Sequence, residues 1–273
     1  MNDEIPEIDL PRGVALAWGV AANPQRGPKR ELSIERIIEA AVEIADADGL
    51  GAVSMSSIAA SLGFTTMSLY RYVSAKDDLI MLMQEYGTGL PPASIAESPD
   101  WRTGMARWSR ASLEAYAAHP WLVDVPIQGT PNTPNNLAWM DAALTVLADT
   151  PLTPSERVGV LLLITGQTRW EATVMRGYAD SAKSSGVSVA DRDRADAHIL
   201  MNLVTAEAFP ALREAIDAGV FADETDPFGF GLARSARAAG PFFLRGLCCG
   251  LGCDGFSNRR SRAVRTRRVP AAR

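Results

Sequence analysis

The sequence predicts an all-α protein, with a small N-terminal domain of short helices followed by a larger helical C-terminal domain. Two observations favour helix over strand. Apolar residues recur every three to four positions along most of the chain, and no segment alternates polar and apolar residues as a strand would. A third concerns size: 273 residues, 47% of them hydrophobic, suffice for a small domain joined to a larger one.

Residues 1–32 are expected to form a flexible, extended N-terminal arm. Prolines at positions 6, 11, 24 and 28 interrupt regular structure throughout this segment. The arm ends in three cations, Arg26, Lys29 and Arg30, beside Gly27 and Pro28.

Helix signals then follow one another closely, and they define a domain over residues 33–92. Ser33 is placed to cap a helix that Gly49 ends, and Ser54 a short helix that Gly63 ends. Thr65 can cap a third helix, from Thr66 to Val73. A capping box over residues 74–77 predicts the start of a fourth helix.

The second and third of these helices, with Gly63 between them, have the spacing of a helix-turn-helix. In that motif the second helix of the pair enters the major groove of DNA. Its outward face here holds Thr65, Thr66, Met67, Ser68, Tyr70, Arg71 and Tyr72. Hydroxyls can donate to phosphates or base edges, Arg71 can bind guanine, and Lys76 is placed for a phosphate. The alternative is a solvated helix face in an all-α protein.

Two stretches, Ile58–Phe64 and Met67–Leu79, closely resemble the DNA-binding domain of the TetR family of repressors. The specific elements are Leu69-Tyr70 followed by Val73, Lys76 three residues later, and then Leu79. The first predicted helix, with Glu39-Ala40-Ala41 and Asp48-Gly49-Leu50, is also similar to the opening of that family. The resemblance covers residues 33–80 in detail and is only architectural beyond.

The resemblance implies which side chains meet DNA. Five hydroxyl-bearing residues would lie in the groove or on the backbone: Thr65, Thr66, Ser68, Tyr70 and Tyr72. Met67 can touch a thymine methyl group, and Lys76 would hold a phosphate. Tyr72 stands where many members carry histidine. The basic end of the arm either reaches into an adjacent minor groove or is a disordered linker.

Residues 93–233 predict longer helices, which the resemblance implies are the effector-binding and dimerisation domain. We expect helices over 101–118 and 135–148, and a long helix from a capping box at Thr153–Glu156 to about Tyr178. A polar loop over 180–192 and a mostly helical stretch over 193–218, broken at Pro210, follow.

Large side chains in this domain are candidates for the wall of an effector pocket. They are Trp108, Trp121, Trp139, Met140, Gln167, Trp170, Glu171 and Met175. Gln167 and Glu171, one helical turn apart, are the better polar candidates. The alternative is an ordinary core, which is the more frequent role of tryptophan and methionine at helical spacing.

Residues 234–273 form an atypical tail, rich in glycine, cysteine and arginine. From Leu232 onward, ten arginines accompany one acidic residue, although the whole chain has a net charge of −5. Two hypotheses account for the change: a shift of reading frame near Arg234, or a basic tail that adds phosphate contacts. Cys248, Cys249 and Cys253 lack a CxxC pair and a nearby histidine, so we predict no metal site.

The sequence therefore predicts a DNA-binding transcription regulator, a ligand-responsive repressor that binds a palindromic operator as a homodimer. The alternative is a helical small-molecule-binding protein without a role at DNA. We expect no enzymatic activity, because the chain has no nucleophile–base pair or phosphate-binding loop, and no cofactor. Without a signal peptide or a long apolar run, it is expected in the cytoplasm and not in a membrane.

Overall fold

The computed structural model describes residues 10–21, 32–127 and 129–219, and within these ranges the chain forms helices and turns without a strand. The prediction of an all-α fold is confirmed. No helix in the described ranges is long and apolar enough to cross a membrane. The helices are α1 (Arg12–Ala17), α2 (Ile34–Asp48), α3 (Met55–Leu62), α4 (Thr66–Leu69), α5 (Lys76–Thr88), α6 (Trp101–Ala118), α7 (Pro134–Val146), α8 (Pro154–Ser185), α9 (Val189–Leu203) and α10 (Pro210–Asp217).

Helices α2 to α5 pack around one apolar core, and both ends of α2 and α3 and the start of α4 lie where the sequence predicts them. Fully buried side chains include Ile37, Ile58, Leu69, Val73 and Met83. The side chains of three predicted caps, at positions 33, 54 and 65, each accept a hydrogen bond from the first turn of their helix. The glycine at position 63 adopts the left-handed conformation (φ 72°) that ends α3 and turns the chain into α4.

Two predicted features of this region are wrong in detail. Helix α4 ends at Leu69 and not at Val73, because the amide groups of Tyr72 and Val73 both donate to the Leu69 carbonyl in a tight turn. The predicted capping box at residues 74–77 does not form. Helix α5 begins at Lys76, and Ser74 donates instead to the Asp78 carboxylate, 3.3 Å away.

The expectation of an arm without regular structure is wrong for Arg12–Ala17, which form α1 against α5. The Gly13 amide donates to the Asp78 carboxylate at 3.0 Å, and the Trp18 indole donates to the Asn132 carbonyl at 2.8 Å. A Cβ at Gly13 would lie 2.7 Å from that carboxylate oxygen, so only glycine permits this approach. Residues 22–31, with the cations Arg26, Lys29 and Arg30, lie outside the described residues.

Helices α6, α7 and α8 enclose a second core, which includes Met105, Leu147 and Ile164. The predicted capping box at Thr153 and Glu156 begins α8. This helix extends to Ser185, beyond the predicted end, so the predicted loop over 180–192 is reduced to the turn between α8 and α9. The expected break before α10 is present. Residues 220–273, including the three cysteines, lie outside the described residues.

A short 3-10 turn, Pro120–Asp124, connects the two cores. Its side chains Trp121 and Leu122, together with Val125 just after it, are buried in the N-terminal core although they follow α6 in the chain. Helix α2 therefore packs against this turn, and the two units share a contact surface.

Candidate functional site

The outward side of α4 and the turn after it form an exposed surface above a buried apolar side. Leu69 and Val73 point into the core and are fully buried. Met67 is 71% exposed and Tyr70 48% exposed. Together with Thr65, Thr66, Ser68 and Arg71, these two residues form what we call the recognition surface.

The hydroxyl groups of this region have different partners. Thr65 and Ser68 are hydrogen-bonded to each other through their side-chain oxygens, 3.0 Å apart, which fixes the start of α4. Tyr72 is half-buried, and its hydroxyl donates to the Leu32 carbonyl at 3.0 Å. Because phosphate oxygens only accept, Tyr72 cannot also donate to a phosphate in this conformation.

Two cations lie at the edge of the recognition surface. Arg71 and Lys76 are both exposed, and neither forms a salt bridge to the described residues. Lys76 is the first residue of α5, directly after the turn. Both charges are therefore available to an anionic partner.

Two of the tryptophans predicted to line an effector pocket, Trp108 and Trp139, lie in the second core. The rings of Trp108 and Trp139 are buried and meet edge to face, with centroids 5.7 Å apart. Their indole groups donate to backbone carbonyls, that of Trp108 to Trp139 and that of Trp139 to Gly89. Met140 packs against the same cluster.

The candidates on α8 point in different directions. Gln167 and Glu171 are half-buried, whereas Trp170 is 69% exposed on the side of α8 that faces away from the core. Met175 lies further along, beside the N-terminal unit. The structure does not bring these residues together around one cavity.

A cavity of about 490 Å³ lies where α2, α6, the 3-10 turn and α8 meet, and we call it the junction cavity. Of the predicted pocket residues, Trp121 and Met175 line it. Sequence reasoning missed the others, because they come from three helices far apart in the chain. They include Asp46, Asp48, Leu113, Tyr116, Ala117, Ala172, Arg176, Ala179, Asp180 and Lys183.

The charged groups of the junction cavity are mostly paired. Asp46 accepts from the Trp121 indole at 2.7 Å and from His119 at 2.9 Å. Arg176 is held by Asp124 and by Asp180, and the hydrogen bond to Asp124 raises the pKa of this guanidinium.

Tyr116 gives the junction cavity an aromatic wall. Burial raises the pKa of its phenol, an effect partly offset by the nearby Arg169. The phenol therefore stays neutral near pH 7, as a hydrogen-bonding group and not a charge.

The outer face of α8 is apolar, and no other part of the described chain covers it. It consists of Gly159, Leu162, Leu163, Gly166 and Trp170, which recur at helical spacing and are exposed. A Cβ added at either glycine would meet no atom within 4 Å. Glycine inside a helix lowers the stability of the single chain. Its use at these two positions is consistent with the close approach of a partner, which a larger side chain would prevent.

Helices α3 and α4 are joined by a turn at a left-handed glycine, and α4 buries an apolar side while exposing hydroxyls beside a cation. This arrangement is typical of a helix-turn-helix DNA-binding protein. Residues 37–82 match the family described as bacterial regulatory proteins, tetR family. Residues 95–234 match the tetracyclin repressor-like C-terminal domain. The chain is 34% identical over 232 residues to the HTH-type transcriptional repressor DrrR1 of Streptomyces coeruleorubidus, which covers 83% of this chain and 84% of the relative. The chain belongs to the TetR family of bacterial transcription regulators.

Solved structures have the same fold. The Streptomyces coelicolor TetR family protein ActR, in complex with (S)-DNPA, superimposes with a TM-score of 0.62 at 23% identity, covering 80% of this chain and 100% of ActR. A possible TetR family transcriptional regulator from Streptomyces coelicolor A3(2) superimposes with a TM-score of 0.57 at 23% identity, covering 79% of this chain and 100% of that one.

Proposed function

We propose that this protein is a ligand-responsive repressor that binds a palindromic operator as a homodimer in the cytoplasm and catalyses no reaction. The observation that carries the proposal is the recognition surface, which combines exposed hydroxyls on a short helix with an arginine just after it that forms no salt bridge to the described residues. In the proposed division, residues 33–92 bind DNA and residues 93–233 bind the effector and the second subunit.

At the operator, α4 enters the major groove. Arg71 reads guanine through its forked guanidinium, and Met67 contacts a thymine methyl group. Thr65, Thr66, Ser68 and Tyr70 bind base edges or phosphates, and Lys76 holds a phosphate. Tyr72 supports this surface through its bond to Leu32. Arg26, Lys29 and Arg30 would reach the neighbouring minor groove.

The homodimer forms through the outer face of α8. Its exposed leucines and tryptophan lie on a surface where two glycines let a second helix approach closely. A two-fold dimer of this kind presents two copies of α4 to half-sites about 34 Å apart, one turn of the double helix.

A small molecule releases the operator by favouring a different spacing of the two copies of α4. The repressor DrrR1 supports the repressor assignment. The structure of ActR in complex with actinorhodin supports an organic effector for a regulator of this fold.

A fluorescence-anisotropy titration with the DNA upstream of the protein's own and neighbouring genes tests the proposal. The wild-type protein should bind one of these fragments, and Arg71→Ala should weaken binding by roughly 10- to 100-fold. Arg110→Ala, which removes an exposed arginine from α6, is the matched control and should bind like wild type. Equal DNA binding by Arg71→Ala and wild type would show that the recognition surface is not the DNA-binding surface. Binding to no fragment would favour the small-molecule-binding alternative.

A further inference from the structure

We infer that the junction cavity binds an organic cation with an apolar body, and that its occupancy controls DNA binding. The inference rests on the proposed function and adds the position of the effector site and the chemical class of its ligand. The walls of the cavity come from α2 in the DNA-binding unit and from α6 and α8 in the other unit.

The size and walls of the cavity suit a small molecule. Sites for small organic ligands have volumes of about 300–1,000 Å³, and the cavity holds about 490 Å³. Leu113, Tyr116, Trp121 and Met175 supply apolar and aromatic surface. The half-buried ring of Tyr116 also favours a cation, which is attracted to the face of a ring.

The end of the cavity formed by α2 is negative. Asp46 and Asp48 lie in the last turn of this helix, which holds no basic residue. The carbonyl groups at the end of a helix already carry partial negative charge, so carboxylates are unfavourable there without a cation. The N–H groups of Trp121 and His119 stabilise Asp46. Asp48 has no hydrogen bond or salt bridge to the part of the chain that the structure describes.

The positive groups of the cavity do not offset this charge. Arg176 is already shared between Asp124 and Asp180. Lys183, which is exposed like Asp46 and Asp48, is in the last turn of α8, where it lies at the negative end of its own helix. The lining therefore holds three carboxylates, of Asp46, Asp48 and Asp180, against two positive groups, and a bound cation would balance the excess negative charge.

The position of the cavity couples the ligand to the DNA-binding unit. Gly49 ends α2 directly at the cavity and leads into α3 and α4. Asp46 on α2 binds Trp121 and His119, which follow α6. A ligand between α2 and α8 therefore contacts both units at once. It favours the arrangement of the two units in which those contacts are best.

Isothermal titration calorimetry of the full chain tests the charge preference. The probes are tetraphenylphosphonium and tetraphenylborate, which have similar shapes and opposite charges, at constant ionic strength. The cation should bind and the anion should bind at least roughly tenfold more weakly. Asp48→Asn should weaken binding of the cation roughly tenfold, while Asp149→Asn, at an exposed aspartate outside the cavity, should not. Equal binding of both probes, or no binding of the cation, overturns the inference.

A second variant tests the position of the site. Ala179→Trp fills the cavity and should abolish binding of tetraphenylphosphonium. Ser184→Trp places the same side chain on α8 outside the cavity and should leave binding unchanged. Thermal unfolding followed by circular dichroism checks that both variants are folded. Unchanged binding by folded Ala179→Trp overturns the assignment to this cavity.

Coupling is measured by titrating operator DNA in the presence of saturating tetraphenylphosphonium. Operator affinity should fall roughly tenfold in wild type and Ser184→Trp, and not in Ala179→Trp. A protein that binds the operator but not the cation disproves the site and leaves the proposed function standing. A protein that binds the cation but no DNA disproves the proposed function and leaves the inferred cation site standing. Binding of both without an effect on each other overturns control through this cavity.

Discussion

The recognition surface and the outer face of α8 are both exposed helix faces above a buried core, and their chemistry is opposite. The recognition surface holds hydroxyls and an arginine that has no salt bridge within the described ranges, whereas the outer face of α8 holds leucines, a tryptophan and glycines. Water solvates the first surface well and the second poorly. The chemistry of each exposed surface therefore indicates its partner. The polar, cationic recognition surface suits phosphates and base edges, and the apolar outer face of α8 suits another protein.

The two surfaces also depend on each other. A single α4 contacts one half-site, and a dimer links two half-sites so that the second binding event becomes intramolecular. The largest effects on DNA binding are therefore expected from the surface that does not touch DNA.

Leu162→Asp should separate the dimer and lower operator affinity by on the order of 100-fold or more. Leu162 is 62% exposed on the outer face of α8. An aspartate in its place would bury a carboxylate in the apolar contact between the two subunits, which is unfavourable. Sedimentation velocity measures the dissociation, and anisotropy measures the affinity. Leu90→Asp, at a residue 73% exposed outside α8, is the control. A dimeric Leu162→Asp protein would show that subunits pair elsewhere.

Gly63→Ala tests the turn that orients the recognition surface, and should lower the free energy of unfolding by about 1–2 kcal/mol. The glycine has a φ of 72°, a conformation that a side chain disfavours even where space is open. Gly51→Ala is the matched control, since it is exposed and lacks a positive φ. Urea unfolding measures both variants, and equal stability losses would contradict the assigned strain.

Local signals made the DNA-binding unit predictable. Ser33, Ser54 and Thr65 each cap the helix that directly follows them, and a glycine ends α3. Short stretches of sequence therefore determine these elements. The helix Arg12–Ala17 has no side-chain cap, and its contacts to Asp78 and Asn132 come from distant parts of the chain. Tertiary contacts that stabilise a short helix leave no periodic pattern in the sequence.

The junction cavity was less predictable for the same reason. Residue type indicated that tryptophans line a pocket, but a pair of them fills the second core and Trp170 lies on the outer face of α8. The junction cavity depends on which helix ends meet, and Asp46 and Asp48 look like ordinary solvated residues in the sequence of α2. Only the arrangement of α2, α6 and α8 around the cavity brings them together with the other lining residues.

Lys76→Ala should weaken operator binding a few-fold, to a similar extent for all DNA sequences, because a phosphate contact carries no sequence information. The slope of log affinity against log salt concentration should decrease by about 1. Arg110→Ala, outside the recognition surface, should leave the slope unchanged. Anisotropy titrations over a range of salt concentrations measure it. An unchanged slope in Lys76→Ala would place the lysine away from the backbone.

Tyr72→Phe should have the smallest effect, on stability and not on DNA affinity. The Tyr72 hydroxyl donates a hydrogen bond to the Leu32 carbonyl, just before α2. Removing the hydroxyl therefore loses one internal hydrogen bond, worth about 0.5–1.5 kcal/mol. Tyr70→Phe is the converse variant, because Tyr70 is exposed on the recognition surface. It should lower operator affinity and leave urea unfolding unchanged. If Tyr72→Phe instead weakens DNA binding at unchanged stability, its hydroxyl leaves Leu32 for the phosphate when DNA binds, and the recognition surface extends by one residue.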